Sequence, residues 1–244
     1  MNLIIDIGNT CTKLVCFDGD NVVEELRIGK DDTEQLAKFC EKYDFGKGII
    51  GNVADIPQGL EDQLKRLAFP ILRMKSGITP VPIVSKYHTP KSLGADRLAA
   101  AVAAAWLQPG RNVLIIDAGT CITYDFVNAQ GEYEGGNISP GPDIRFRALK
   151  QFTSRLPLVD REGPSPIMGD TTATALRSGV MHGVEYEIEG YIRRFLENYP
   201  DLYVYLTGGV HLEMRFKEKM PIFADDYIVP RGLNRILKYN EKNM

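Results

Sequence analysis

A run of apolar residues that ends in an acid and turns through glycine occurs twice in this chain. Leu3-Ile4-Ile5-Asp6-Ile7-Gly8-Asn9-Thr10-Cys11 returns 111 residues later as Leu114-Ile115-Ile116-Asp117-Ala118-Gly119-Thr120-Cys121, without the asparagine. Each copy continues as a second β-like run, over 12–17 and 122–127. Around the first copy the pattern predicts a meander of three strands, 3–6, 13–17 and 22–28, joined by tight turns. Asp32 is placed to cap a helix whose apolar residues Leu36, Phe39, Cys40 and Tyr43 keep helical spacing. A short buried strand over 48–53 follows, then a helix over 58–67 and strands near Ile71 and Ile83. The alanine-rich stretch 92–107 predicts a helix buried on several faces.

Gln108-Pro109-Gly110 is the clearest internal break, and it divides the chain into halves 1–108 and 109–244. The second half opens as the first does, with strands over 111–117, 121–127 and 132–138. A helix is expected after Pro140-Gly141-Pro142, a loop or lid over 153–168, and a long helix over 171–198. A strand over 203–206 ends in Thr207-Gly208-Gly209, with helices over 210–216 and 233–239. A meander followed by alternating α and β, twice, predicts an α/β fold of two related halves. In that fold Asp6 and Asp117 stand on opposite walls of one cleft.

The acid-Gly-Thr turns carry the candidate chemistry. A strand that delivers a carboxylate into a glycine turn can hold phosphate and its metal, because backbone N–H groups and a hydroxyl gather at its mouth. Gly8 is expected to supply this, because glycine permits positive φ. Asp6 can hold a divalent ion directly or through water. Lys13 could reach a phosphate or be an ordinary solvated lysine. A second carboxylate beside a polyanion is costly unless a cation offsets it, so a cation is expected near Asp117. In Gly94-Ala95-Asp96-Arg97, Asp96 faces the positive end of a helix, as a proton acceptor or as a cap with a surface ion pair. Gly169-Asp170-Thr171-Thr172 could bind an anion at a helix start or simply cap it.

Composition narrows the classes. The chain has 244 residues, of which 44% are hydrophobic, enough for a substantial core. Its net charge of −3 argues against a nucleic-acid surface. The cysteines, Cys11, Cys16, Cys40 and Cys121, form no zinc pattern and read as thiols of a reducing compartment. His88, His182 and His211 have no ligand spacing. The first residues lack the features of a signal peptide, and the longest apolar run, 98–107, is too short to span a bilayer. A cytoplasmic protein without membrane or nucleic-acid partners is expected. Neither a P-loop nor a Gly-x-Gly-x-x-Gly motif is present.

In this order, Asp6-x-Gly8-Asn9-Thr10-x-x-Lys13, Gly94-Ala95-Asp96-Arg97, Asp117-x-Gly119-Thr120, Gly135-Gly136-x-Ile138-x-Pro140-Gly141 and Thr207-Gly208-Gly209 span nearly the whole chain. With Tyr87-His88-Thr89-Pro90 before the second motif, the chain resembles the type III pantothenate kinases. The resemblance implies a duplicated ribonuclease-H-like fold of the actin, hexokinase and acetate-kinase superfamily. It implies a homodimer that phosphorylates pantothenate with ATP, the first step of coenzyme A biosynthesis. Asp96 would be the general base. Asp6, Ile7, Gly8, Asn9, Thr10, Cys11, Thr12, Lys13 and Thr120 would bind ATP with Mg2+. Tyr87, Gly94, Ala95, Asp96 and Arg97 would line the pantothenate site, joined by Thr172 from the other subunit. Asp117 would hold a monovalent cation, K+ or NH4+. Two further readings are a non-catalytic relative that binds or regulates, and a kinase for another small alcohol.

Overall fold

The computed structural model describes residues 1–29, 32–52, 56–210 and 222–243. In chain order the elements are β1 (Asn2–Ile7), β2 (Thr12–Asp18), β3 (Asn21–Ile28), α1 (Thr33–Lys42), β4 (Lys47–Asn52), α2 (Gln58–Leu64), β5 (Ile71–Arg73) and β6 (Val84–Ser85). A single 3₁₀ turn, Pro90–Ser92, precedes α3 (Ala95–Leu107). Then come β7 (Val113–Ala118), β8 (Cys121–Val127), β9 (Glu132–Pro140), α4 (Pro142–Gln151), α5 (Thr172–Asn198), β10 (Tyr203–Thr207), β11 (Ile222–Ala224) and α6 (Ile228–Tyr239). Contacts group them into two compact units. One comprises 1–110, 127–135 and 226–244, the other 111–126 and 136–225.

The duplication is plain in the sheets. One has the order β3-β2-β1-β4-β5. The other reads β11-β10-β7-β8-β9-β6, which from β9 to β11 is the same order traversed the other way. In both, the central strand pairs in parallel with a later one, β1 with β4 and β7 with β10. The expected two-fold α/β architecture is present.

In the first unit, β1 is buried on both faces, as its unbroken apolar run demands. Leu3, Ile5 and Ile7, with Leu14 and Cys16 of β2, pack on Leu36 and Phe39 of α1 and Leu60 and Leu64 of α2. Asp32 caps α1, accepting the Gln35 N–H at 3.1 Å. Helix α6 is tied to this sheet through Asn234, which accepts from Asn2 at 2.8 Å and donates to the Gly19 carbonyl at 2.9 Å. Gly51 lets α6 approach: a Cβ there would lie 2.9 Å from Leu233 Cδ2. Gly232 does the same for α3, because a Cβ would lie 1.8 Å from the Ala99 carbonyl oxygen. The contact is with the backbone of α3, and it holds the helix that begins at Ala95.

In the second unit, Leu114, Ile116, Ile122, Tyr124 and Phe126 face Val184, Ile188 and Ile192 of α5. The i, i+4 spacing of those three places them on one stripe, and each stabilises by about 1.5–3 kcal/mol on burial.

Three sequence expectations change, and one strand is added. Helix α3 starts at Ala95 rather than at 92, because the 3₁₀ turn ends at Leu93 and Gly94 becomes the N-cap. Helix α6 starts at Ile228 rather than 233, since Pro230 lies in its first turn, where no intrahelical N–H is needed. Strand β11 was not anticipated, and the helix expected over 210–216 lies almost entirely outside the described residues. Finally, neither Gly8 nor Gly119 has positive φ. Both turns close in the ordinary backbone region, so what glycine supplies there is room rather than handedness.

Candidate active site

The first turn is compact. Gly8 N–H donates to the Cys11 carbonyl at 3.1 Å, and a Cβ on Gly8 would stand 3.3 Å from that oxygen. Asp6, half-buried at the end of β1, lies opposite Lys13 on β2 and beside Gly51 on β4. Asn9 and Thr10 are exposed at the tip, while Ile7 and Thr12 are fully buried. Of the residues expected to hold ATP, those two therefore offer backbone only. The Thr12 hydroxyl is enclosed without a hydrogen-bond partner. Lys13 Nζ donates to the Asp226 carbonyl at 3.1 Å, so a role at phosphate would require it to leave that bond.

Asp96 belongs to the same unit, in the first turn of α3. It is not the cap; Gly94 is, with no side-chain cap bond. A Cβ on Gly94 would lie 2.4 Å from Asp96 Oδ1, so the glycine exists to make room for the carboxylate. The Arg97 N–H donates to that oxygen at 2.8 Å. Arg97 itself is 5% exposed and donates from Nη2 to Tyr133 Oη at 3.1 Å. Its guanidinium lies 5.8 Å from the Tyr87 ring, and the Tyr87 and Tyr133 rings are 6.1 Å apart. Arg97 is thus buried against Tyr133 and Tyr87 beside Asp96, and does not lie at the surface. Gly135, at φ 129°, runs past Tyr87. A recess of about 390 Å³ borders Gly94 and Ala95, with Lys75, Ser76 and Lys91 among its lining.

The second turn lies in the second unit. Gly119 N–H donates to the Cys121 carbonyl at 2.9 Å, and half-buried Asp117 lies beside Thr207 of β10. A Cβ on Gly119 would be 3.7 Å from Asp117 Oδ1, which leaves space beside the carboxylate. Two of the glycine corners converge on this turn. Gly141 donates its N–H to the Thr120 carbonyl at 3.1 Å, and a Cβ there would lie 2.3 Å from the Gly119 carbonyl oxygen. Gly208, at φ 106°, would bring a Cβ within 2.3 Å of the Ala118 carbonyl oxygen. Thr172 is exposed at the start of α5. Thr171 caps that helix, accepting from Thr174 N–H at 3.1 Å, so the cap reading of this segment holds.

One cluster in the second unit carried no sequence signal. Glu187 of α5 receives Tyr124 Oη at 2.8 Å, the Ser139 hydroxyl and Arg145 Nη2. Its members are scattered over four elements, and no local spacing announces them.

Comparison with known proteins decides the family. A model of the type III pantothenate kinases matches residues 2–194. The chain belongs to the type III pantothenate kinase family. Within it, the protein of that name from Phocaeicola vulgatus is 50% identical over 242 residues, covering 99% of this chain and all of its own. The one from Azobacteroides pseudotrichonymphae is 39% identical over 99% of this chain and 98% of its own. Among solved structures, a protein described as a Baf family transcriptional activator from Campylobacter jejuni aligns with TM-score 0.61 and 21% identity, over 98% of this chain and 99% of its own. The ROK hexokinase of Thermus thermophilus aligns with TM-score 0.54 and 15% identity, over 99% of each chain. These distant likenesses establish the duplicated nucleotide-binding fold and nothing finer.

Proposed function

We propose that this chain transfers the γ-phosphoryl group of ATP to the primary alcohol of pantothenate, opening coenzyme A biosynthesis, with Asp96 as general base. The observation that carries the reading is Gly94: its missing side chain leaves the Asp96 carboxylate a seat in the first turn of α3, beside a recess. An alcohol oxygen placed against Asp96 would give up its proton as it attacks phosphorus. A carboxylate suffices as the base, because the transition state is loose and positioning supplies most of the acceleration. Lys75 and Lys91 suit the recess to an anionic substrate such as pantothenate.

Asp6 to Lys13 and Thr120 would contact the nucleotide. Among the described residues no cluster of three or more His, Cys, Asp or Glu could cage a metal. Asp6 would hold a divalent ion carried by the phosphate oxygens, as Mg2+ prefers. When bound, the ion offsets charge on the phosphates. A monovalent ion, K+ or NH4+, would sit beside Asp117. A cytoplasmic homodimer completes the reading, with Thr172 reaching the partner's substrate. Exposed Ala175 and Gly179 near the start of α5 leave a surface for close helix approach, whereas Val180 and Val184 are buried within this chain. An active monomer in sedimentation would exclude the dimer. No helix among the described residues is long and apolar enough to cross a membrane.

The deciding experiment is ADP release with pantothenate and with a panel of other alcohols. Asp96→Asn should lower kcat by roughly 10²–10⁴-fold with ATP binding little changed. Normal kcat in that variant would move the base elsewhere. No turnover of any alcohol by the unaltered chain would favour a non-catalytic, regulatory relative.

A further inference from the structure

The Glu187 cluster lies outside everything assigned above. Glu187 stands on α5, next to Ile188 of the stripe that anchors this helix to its sheet. Three donors converge on its carboxylate: Tyr124, Ser139 and Arg145. Burial alone would raise the carboxyl pKa; hydrogen bonds from Ser139, Arg145 and Tyr124 outweigh it and hold Glu187 below the usual glutamate range. Burial and the Glu187 bond push the Tyr124 phenol up, so it stays a donor.

Arg145 does a second thing. Its Nε donates to the Pro140 carbonyl at 2.8 Å while Nη2 bonds Glu187. One planar guanidinium thereby ties the carboxylate on α5 to the backbone of the 139–141 segment. The next residue, Gly141, presses on the Asp117 turn, with its N–H on the Thr120 carbonyl at 3.1 Å. Ser139, one residue before Pro140, is held by Glu187 directly. The path is continuous, from a core-anchored helix, through a fork, to a segment whose backbone fits against Gly119 and Thr120.

We infer that Glu187 is a positioning residue, acting through Arg145 and Ser139 to hold the 139–141 segment against the Asp117–Thr120 turn and so set that turn for nucleotide. It touches no ligand itself. The inference rests on the reading of that turn as a nucleotide contact.

The test uses Glu187→Gln and, in case the unpaired Arg145 charge prevents folding, Arg145→Lys, which keeps the charge but cannot bridge two acceptors. The readouts are amide exchange at Gly141, the KM values for ATP and pantothenate, and kcat. The expected result is faster exchange at Gly141 and a rise of about 10-fold in KM for ATP, with KM for pantothenate little moved. Unchanged Gly141 exchange in a folded variant overturns the inference. So does faster exchange with unchanged KM for ATP, provided Asp117→Asn raises it. If neither Asp117→Asn nor Glu187→Gln alters KM for ATP while exchange quickens, the brace stands and the nucleotide reading of the turn falls.

Discussion

The two acid-Gly turns share a plan and differ in support. The strands that deliver them, β1 and β7, have the same residue-by-residue burial, four buried residues, a half-buried acid and a buried apolar residue. After the turn, Cys11-Thr12-Lys13-Leu14 and Cys121-Ile122-Thr123-Tyr124 alternate half-buried and buried in step. The extra Asn9 is absorbed within the first turn and never reaches the strand, where a slip of one residue would invert both faces. Beyond that the copies part. The first turn ends in an exposed tip, Asn9 and Thr10. The second is met by Gly141 and Gly208, and behind Gly141 stands the Glu187 cluster. Duplication copied the device that presents a carboxylate; among the described residues, the close glycine packing and the Glu187 cluster stand at the second copy.

The largest test of this contrast is steric. Gly208→Ala should destabilise by about 3 kcal/mol or more, since the new Cβ meets the Ala118 backbone and φ 106° is strained for any side chain. That corresponds to a fall of roughly 6 °C or more in Tm. Gly8→Ala, whose Cβ would stand 3.3 Å from one carbonyl, should stay within about 1 kcal/mol. Equal losses would erase the distinction. Next is charge. Asp117→Asn should abolish the response of turnover to potassium or ammonium, whereas Asp6→Asn should leave that response and lower kcat/KM for ATP by roughly 10²-fold. Turnover of the unaltered chain that is indifferent to replacing these ions with a bulky organic cation would remove the premise. The smallest effect is in pH. Glu187 is depressed, so its contribution is present above the ordinary glutamate pKa, about 4.3, and is lost as pH falls through the lower folded value. Tm of the unaltered chain should therefore drop more steeply below about pH 4.5 than that of Glu187→Gln. Parallel curves would show that the carboxylate is not held ionised.

Much of the architecture was legible in the chain because strands and helices announce themselves by period. The apolar runs of β1 and β7 gave both central strands, and Asp32 gave the start of α1. Helix boundaries failed where one residue has two meanings. Pro230 reads as a breaker yet sits within the first turn of α6, and the glycine of Gly94-Ala95 reads as interior yet is the cap. The positions of Asp6, Asp96 and Asp117 at the ends of their elements were readable from local motifs. The Glu187 cluster was not, because Tyr124, Ser139, Arg145 and Glu187 meet only through tertiary packing. The glycines at 141 and 208 read as turns, but the reason for them, backbone pressed on backbone, has no signature in one dimension.

The contact between Gly232 and Ala99 carries a consequence for heredity. Every amino-acid change reachable from a glycine codon by one base adds a Cβ, and here that atom would fall 1.8 Å from a carbonyl oxygen. The obstacle is the backbone of residue 99 rather than its side chain, so no second-site replacement at that position makes room. Amino-acid replacement at position 232 must therefore wait for a rearrangement of both helices, and the helix that presents Asp96 inherits that immobility.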